Sequence, residues 1–441
     1  MSKKILIVCY YFPPSTLVAG RRWAKFAKYL SKSGYDIFVV AAKSETKIGL
    51  WDEDVSAFKN NITYLDPKIK PKFYFKKKIE YPLSIIDKVR FKLSYYSFLV
   101  WRFFMKGFFY DPSIGCNRSL KSAILSIKNE QKIDAIIVSG GPFRWCYYVS
   151  KIVSDHLKTL PLIIDLRDFW ANGSPMQNLS PEKVRQEKYF EEYSLSKATV
   201  ILTVNELIAA YISNTYPKLS SKISVIPHAF DEEDFKYASN RVGESNLMSI
   251  NLAYAGSLYP KMEFAIALLK ELLIALREKR YKASVYFFTS SSDYSNLFEN
   301  EIKDSVIYKP LLKPTELFET LSRNIDVVLQ PRASVMLEEN FKSSKFYEQI
   351  ALRKPILYIG IPSELSDYYQ NNKLGYALTS SSDVERISDE IINNLSTKII
   401  PDKTFDLSVF TFEKQVRKIS RILETLISAN QSQFYVNKKT T

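Results

Sequence analysis

The chain has 441 residues, of which 46% are hydrophobic and 14% aromatic, with only 12 glycines and 19 prolines. This length is too great for one ordinary hydrophobic core and predicts two domains, and the composition excludes a low-complexity chain. The formal net charge of +15 predicts attraction to an anionic partner, such as nucleic acid, an anionic membrane or a phosphorylated substrate.

Cysteine usage and hydropathy argue against several further classes of protein. Cys9, Cys116 and Cys146 are far apart and form no CxxC pair, so neither a disulfide framework nor a zinc site is indicated, and a reducing compartment is favoured. The apolar run near the N-terminus stops at Pro13 and lacks the cleavage site of a signal peptide. We also find no stretch of roughly 18 uncharged apolar residues, so we expect no transmembrane helix.

The N-terminal half alternates between predicted strands and helices. An apolar run over 4–11 predicts a buried strand, the apolar residues of 23–30 have helical spacing, and 37–42 predicts the next strand. This βαβ order predicts a parallel, Rossmann-like sheet in a domain covering 1–228. Further strands and helices are predicted at 133–139, 162–165, 181–197, 199–203 and 205–215.

Residues 67–110 interrupt this alternation because they are dense in Lys, Arg, Phe and Tyr. One interpretation is a membrane-surface patch, with aromatic rings at the headgroup level and cations on anionic lipid. The other is an ordinary insertion that packs its aromatic side chains inward. On the first interpretation, the cations expected to contact acceptor or membrane are Lys76, Lys77, Lys78 and Arg102.

The C-terminal half repeats the alternation after a polar linker at 229–249. A second Rossmann-like domain is predicted over 250–410, with a final helix at 411–428 that is expected to pack back towards the first domain and a disordered tail at 429–441. The expected fold is α/β, with two facing, doubly wound, Rossmann-like domains and a cleft between them. Its strands and helices are predicted at 250–255, 263–279, 283–289, 314–322, 326–330, 344–351 and 355–359.

The loop after the first predicted strand leads directly into a helix N-terminus. Gly20 permits close backbone approach there, and the neighbouring Arg21 or Arg22 adds positive charge, so a phosphate is a candidate ligand. The loop matches neither GxGxxG nor a P-loop, and a plain strand-to-helix turn remains the alternative.

The opening ILIVCYYFPPSTLVAGRRWAKFAKYLSKSGYDIFVV, with its Phe-Pro-Pro loop, resembles that of bacterial family 4 GT-B glycosyltransferases. Further segments resemble the family in its own order, at 160–170, 196–212, 222–235, 250–262 and 324–357. The resemblance implies a glycosyltransferase that moves a sugar from a nucleoside diphosphate sugar to a hydroxyl of a lipid-linked or cell-envelope acceptor. It also implies retention of anomeric configuration. The place expected for the protein, at the cytoplasmic face of the plasma membrane, rests on the 67–110 segment alone.

The resemblance also implies site residues on the donor side. Gly20 matches a backbone contact to the donor diphosphate, and Glu348 matches the second acidic residue of a Glu-x7-Glu element that binds the donor ribose. A carboxylate suits this task because it accepts two hydrogen bonds from a diol. The first member of that pair falls at Asn340, a departure that puts the sugar-hydroxyl contact in doubt.

Basic residues at predicted strand ends match those that neutralise the leaving nucleoside diphosphate. We expect Lys345 and Arg332 to form this pair, ahead of Lys261, which follows the turn at Gly256. Such side chains and helix dipoles replace a metal ion, so no metal or other cofactor is expected. The DxD at 52–54 lies in a polar loop and is interpreted as an acidic turn.

The segment 165–168 places three charges directly after a predicted strand. Asp168 is a candidate to orient the acceptor or act as a base, and an Asp–Arg pair that stabilises the loop is the alternative. His156 is expected to be structural, and His228 to be a linker contact. A sugar-nucleotide epimerase and a non-catalytic membrane or nucleic-acid adaptor remain alternative functions, whereas the preferred one involves no nucleic acid.

Overall fold

The computed structural model divides the chain into two compact units, residues 1–227 with 416–441, and residues 228–415. The residues that the structure describes are 2–15, 17–44, 49–66, 93, 96–97, 100, 104–108, 111–173, 176–177, 179–238, 248–256, 258, 262–289, 302–332 and 342–439. Among them, no helix is both long enough and apolar enough to cross a bilayer.

The first unit contains a seven-stranded parallel sheet. Its elements are β1 (Lys4–Cys9), α1 (Val18–Lys32), β2 (Asp36–Ala42), α2 (Asp52–Val55), β3 (Ile62–Leu65), α3 (Asn117–Gln131), β4 (Ala135–Ser139), α4 (Arg144–His156), β5 (Leu162–Leu166), α5 (Pro181–Lys197), β6 (Val200–Thr203), α6 (Glu206–Thr215) and β7 (Ile223–Val225). The strand order is β3-β2-β1-β4-β5-β6-β7. The inner strands β4 and β5 are buried at every residue, as expected for continuous apolar runs covered on both faces.

The second unit contains a six-stranded parallel sheet in the order β10-β9-β8-β11-β12-β13. Its elements are β8 (Ser249–Ala255), α7 (Glu263–Glu278), β9 (Lys282–Phe288), β10 (Val306–Lys309), α8 (Pro314–Asn324), β11 (Val327–Pro331), α9 (Ser344–Ala351), β12 (Ile356–Ile359), α10 (Glu364–Asn371), β13 (Gly375–Leu378) and α11 (Val384–Thr397). Helix α7 contributes much of the core, because most of its apolar residues between Ala265 and Leu276 are buried. The predicted class, α/β with two Rossmann-like parallel sheets, is confirmed.

Both sheets reverse their winding direction in the middle. In the first sheet the chain runs outward from β1 to β3 and then returns to the other side of β1 with β4; β8 and β11 form the same arrangement in the second. Helices that leave such neighbouring strands diverge, and this opens a crevice at the carboxyl ends of the strands where α/β proteins bind ligands. The residues after β1, β4, β8 and β11 are therefore the first places to look for a site.

The C-terminal helix is longer than the sequence predicted. Helix α12 spans Phe412–Lys439, so the tail expected to be disordered from 429 is helical through its described part. No Gly or Pro follows 411 to stop it. From Val416 onward it belongs to the first unit, where Tyr35 donates a hydrogen bond to the Ser420 carbonyl at 3.4 Å.

Part of the expected linker has regular contacts within the second unit. The Phe230 N–H donates to the Phe410 carbonyl at 3.0 Å, and the Phe235 ring stacks on Phe318 with centroids 4.2 Å apart. Residues 239–247 lie outside the described residues. The three cysteines are buried and form no disulfide with one another.

A buried carboxyl group on α5 predicts a pH-dependent stability. Glu191 accepts hydrogen bonds from Tyr216 at 2.9 Å and Tyr211 at 3.1 Å, and burial raises its pKa from 4.5 to about 7. The folded state therefore binds this proton more tightly than the unfolded state does. Its contribution to stability is complete below pH 4.5 and is lost as the pH rises through about 7.

We expect Glu191→Gln to remove this dependence. Between pH 5 and 8 the free energy of unfolding of the wild type should fall, relative to the variant, by on the order of 3 kcal/mol. All five tryptophans lie in the first unit, so urea unfolding followed by tryptophan emission measures that unit selectively. Parallel pH profiles for wild type and variant would contradict the assignment.

Candidate functional site

The carboxyl end of β8 is shaped around a lysine side chain. Gly256 follows the strand with φ +150°, a conformation that side chains other than glycine rarely adopt. A Cβ at this position would overlap Lys345 Nζ and lie 2.8 Å from Lys345 Cε. The glycine therefore lets the lysine side chain cross the end of the strand.

Lys345 lies in the first turn of α9 and is held by an aromatic ring. Its Nζ donates to the Tyr254 hydroxyl at 3.1 Å and lies 4.8 Å from the centre of the same ring. Ser343 precedes the helix in an extended conformation, and its side chain does not cap the first turn. The ammonium and the positive end of the helix dipole thus share one location, which favours an anionic ligand.

Helix α9 is fixed by its opposite face. Phe346, Tyr347 and Ile350 are buried in the core of the second unit, and Gln349 Nε2 donates to the Leu329 carbonyl at 2.9 Å. Glu348 is half-buried and three residues after Lys345, a spacing that places the two side chains on neighbouring parts of the helix surface.

Arg332 follows β11, the other strand of the switch point. The Arg332 N–H donates to the Ile359 carbonyl at 2.9 Å. A Cβ added to Gly360 would lie 3.1 Å from the Cβ of Arg332. Burial raises the pKa of Tyr369, and the positive charge of Arg332 partly opposes that rise. The structure thus gathers Gly256, Lys345, Arg332 and Glu348 onto β8, β11 and the helix after β11.

Six of the predicted site residues lie outside the part of the chain that the structure describes. Lys261 and Asn340 lie outside the described residues, as do the membrane candidates Lys76, Lys77, Lys78 and Arg102.

In the first unit, Gly20 has a structural reason to be glycine. A Cβ at this position would lie 2.7 Å from the Tyr11 carbonyl oxygen and 2.9 Å from Phe12 Cα. The first turn of α1 therefore packs directly on the backbone that follows β1. Arg21 is half-buried on the same turn.

The charged segment after β5 divides into buried and exposed residues. Asp165 is completely buried and pairs with Arg22, whose Nη2 lies 3.2 Å from Oδ1, and it also accepts from Trp23 Nε1 at 2.8 Å. Arg22 also donates to the Ile226 carbonyl at 2.7 Å. The expected Asp–Arg pair exists, but its arginine comes from α1 rather than from the segment itself.

Arg167 instead joins the first turn of α1 to the loop after β4, at the switch point of the first sheet. Its guanidinium donates to the Ala19 carbonyl at 2.7 Å and to the Gly140 carbonyl at 2.8 Å. Gly141, with φ +77°, continues the loop after β4. Asp168 is the exposed member of the segment and therefore the one available to a ligand.

The acidic turn at 52–54 lies in α2, and its Asp54 is buried between lysines of α1. Its Oδ1 lies 2.8 Å from Lys25 Nζ and 3.4 Å from Lys28 Nζ. These ion pairs account for the aspartate as a structural residue.

Four described residues of the 67–110 segment form an apolar stripe. They are helical, have spacings of three to four residues, and are between 60% and 75% exposed: Leu93, Tyr96, Val100 and Phe104. The chain is anchored just beyond them, because Glu187 accepts from the Phe108 N–H at 2.6 Å and Gln186 from the Gly107 N–H at 2.6 Å. The stripe is therefore held at its end by helix α5.

Some contributors to these sites were missed by the sequence analysis. Tyr254, which holds Lys345, carried no signal because neither its side-chain direction nor its partner can be inferred from a strand pattern. The Gly140-Gly141 pair did carry one, since two consecutive glycines directly after a strand indicate close backbone approach.

The two parallel sheets and their switch-point sites define the GT-B class of fold. No protein-family model and no curated protein matches the sequence. A solved glycosyltransferase from Rickettsia africae is similar in structure, with a TM-score of 0.60 at 13% identity, covering 97% of this chain and 99% of that one. The catalytic domain of starch synthase IV from Arabidopsis thaliana, bound to ADP and acarbose, has a TM-score of 0.60 at 10% identity, covering 97% and 100%.

A putative UDP-N-acetylglucosamine 2-epimerase from Listeria monocytogenes is also similar, with a TM-score of 0.57 at 10% identity, covering 97% of this chain and 98% of that one. At such low identity these similarities establish the fold, and the predicted GT-B fold is confirmed. Activity has to be argued from the site.

Proposed function

We propose that the protein is a glycosyltransferase that moves a sugar from a nucleoside diphosphate sugar to a hydroxyl of a lipid-linked or cell-envelope saccharide. The observation that carries this proposal is Lys345, held over Gly256 by Tyr254 at the unblocked N-terminus of α9. A donor diphosphate is the anion that such a site suits, because its negative charge increases as the glycosidic bond breaks.

The cations of the second unit supply the stabilisation of the leaving group. Lys345 and Arg332 would neutralise the departing diphosphate together with the N–H groups of the first turn of α9. Glu348 would accept hydrogen bonds from the ribose diol. With these charges in place we propose transfer without a metal ion, and with the retention that the sequence resemblance implies.

The first unit would hold the acceptor. Asp168, exposed after β5, is proposed to orient the acceptor hydroxyl or accept its proton, and Gly20 and Arg21 to approach the donor diphosphate. The solved starch synthase neighbour, crystallised with ADP and acarbose, supports a nucleotide and a saccharide as ligands of this fold.

Nucleotide binding should depend on Glu348. Titration with a panel of nucleoside diphosphates should reveal one that binds, and Glu348→Ala should weaken it by about 10-fold or more through loss of the diol contacts. Glu316→Ala, an exposed glutamate in the first turn of α8, is the matched control and should bind normally. Full nucleotide affinity in Glu348→Ala would show that this residue does not bind the ribose. If no nucleoside diphosphate bound the wild type, the adaptor alternative would be favoured.

Attachment to the inner face of the plasma membrane is proposed from the 67–110 segment. It contains eleven basic and two acidic residues, a net +9 of the chain's +15. The exposed apolar stripe from Leu93 to Phe104 lies in the same segment. Apolar and cationic side chains together are the combination that binds an anionic bilayer surface.

Liposome flotation tests this attachment. Neutralising Lys76, Lys77 and Lys78 to glutamine should lower recovery with anionic vesicles, since each juxtamembrane cation contributes about 1 kcal/mol. The control changes net charge equally at three exposed lysines elsewhere, Lys158, Lys218 and Lys313. Equal recovery of the two triple variants would contradict membrane attachment and support the interpretation of the segment as an ordinary insertion.

The similarity to the Listeria protein keeps a sugar-nucleotide epimerase as the second candidate. Such chemistry calls for an acidic pair with a histidine placed for elimination. His156 is exposed at the end of α4, and the ring of His228 lies 6.4 Å from that of Tyr347 on α9. The second unit thus holds one histidine near the helix of the donor site, and the reaction products decide between the two activities.

A further inference from the structure

The second unit contains a large cavity that is not lined by the donor-site residues. It has a volume of about 1100 Å³ and extends from the amino-terminal ends of β8, β11 and β12, at Ser249, Val327 and Pro355, to the carboxyl ends of β9 and β10, at Phe288 and Lys309. Gly256, Arg332, Lys345 and Glu348 do not line it. The volume exceeds the roughly 300–1,000 Å³ of common small-molecule sites and offers space for a metabolite.

The lining of this cavity is strongly cationic. Among the described residues of the lining there is one acidic side chain, Asp326, and there are six basic ones: Lys309, Arg323, Arg353, Lys354, Lys398 and Lys403. Helix C-termini attract cations, and α8, α9 and α11 end near this cavity with roughly half a negative charge each. Asp326 adds one negative charge, and Glu319 pairs with Arg323 at 2.8 Å, so the negative side amounts to about −3.5 charges and a positive excess remains.

Two of the cationic residues carry an energetic cost, Lys354 through burial of its charge and Lys398 through its backbone conformation. Lys354 is half-buried, and burial lowers its pKa, with Lys398 acting in the same direction and Asp326 against it. Lys398 has φ +52°, a left-handed conformation in which glycine or asparagine usually ends a helix. An anion between these side chains would relieve the repulsion between them.

The lining also contains apolar side chains. Tyr286, Phe288 and Leu312 are among them. We propose that this cavity is a second ligand site, distinct from the donor site, that binds a phosphorylated small molecule carrying a ring or apolar part.

Calorimetric titration with tripolyphosphate and with phenyl phosphate at physiological salt tests the proposal. The wild type should bind at least one of them, and the double variant Lys354→Met/Lys398→Gly should bind it at least 10-fold more weakly. Lys398→Gly suits this test because glycine adopts the left-handed conformation freely, so the variant should fold at least as well as the wild type.

Lys345→Met distinguishes the two sites in the same titration. The donor site proposed above also takes a phosphate, and this variant weakens binding there. The binding that persists in Lys345→Met should weaken at least 10-fold when Lys354→Met and Lys398→Gly are added, because Lys345 does not line the cavity. Absence of binding in Lys345→Met, or unchanged affinity in the folded triple variant, would overturn the proposal.

Discussion

Replacing Lys345 with methionine should lower kcat for glycosyl transfer by about 100- to 1000-fold, the usual effect of removing one group that stabilises developing charge. Methionine keeps an unbranched apolar side chain over Gly256 but has no ammonium to face a leaving diphosphate. Within the protein, the substitution removes a hydrogen bond and a cation–π interaction with Tyr254, so the melting temperature should change little.

The matched control for this variant is Lys373→Met. Lys373 is an exposed lysine that follows α10 and precedes β13, on the amino-terminal side of the same sheet. Steady-state rates of donor consumption should be normal in this control. If Lys345→Met kept more than a tenth of the wild-type kcat, the proposed role of Lys345 in stabilising the leaving group would be wrong.

The second large effect concerns stability. Arg22→Met should lower the free energy of unfolding of the first unit by about 3–5 kcal/mol, because it leaves the Asp165 carboxylate buried without its counter-charge. The variant also loses the hydrogen bonds from Arg22 to the Ile226 and Pro227 carbonyls. Urea unfolding followed by tryptophan emission measures the change in this unit.

An exposed ion pair provides the comparison. Lys279, in the second unit, contacts Asp389 and Glu385, both of which are well exposed. Lys279→Met should cost less than about 1 kcal/mol, measured by urea unfolding followed by circular dichroism because the tryptophans report the first unit. A loss of similar small size in Arg22→Met would show that the buried pair does not stabilise the unit.

The sequence predicted the inner strands and most helices well because burial leaves a clear pattern. The four strands it missed, β3, β7, β10 and β13, are the edge strands of the two sheets. Each has only three or four residues. Three of them are also partly exposed, so no continuous apolar run distinguishes them from loops.

For the candidate site, strand ends could be located but side-chain neighbours could not. The position of Lys345 after a predicted strand indicated a ligand site, and its approach to Gly256 depends on a glycine 89 positions earlier in the chain. The segment 165–168 shows a second limit of prediction from strand ends. A strand-end pattern cannot tell the buried Asp165, which pairs with Arg22, from the exposed Asp168.

The central claim, glycosyl transfer from a nucleoside diphosphate sugar, is tested most directly by NMR of the products formed from a panel of such donors. Water can take the place of the acceptor hydroxyl as the nucleophile, so the acceptor need not be known. We predict release of a nucleoside diphosphate together with a sugar of unchanged ring stereochemistry, initially in the anomeric form of the donor, and loss of this release in Lys345→Met. Inversion at a ring carbon other than the anomeric one, or no release from any donor, would contradict the account.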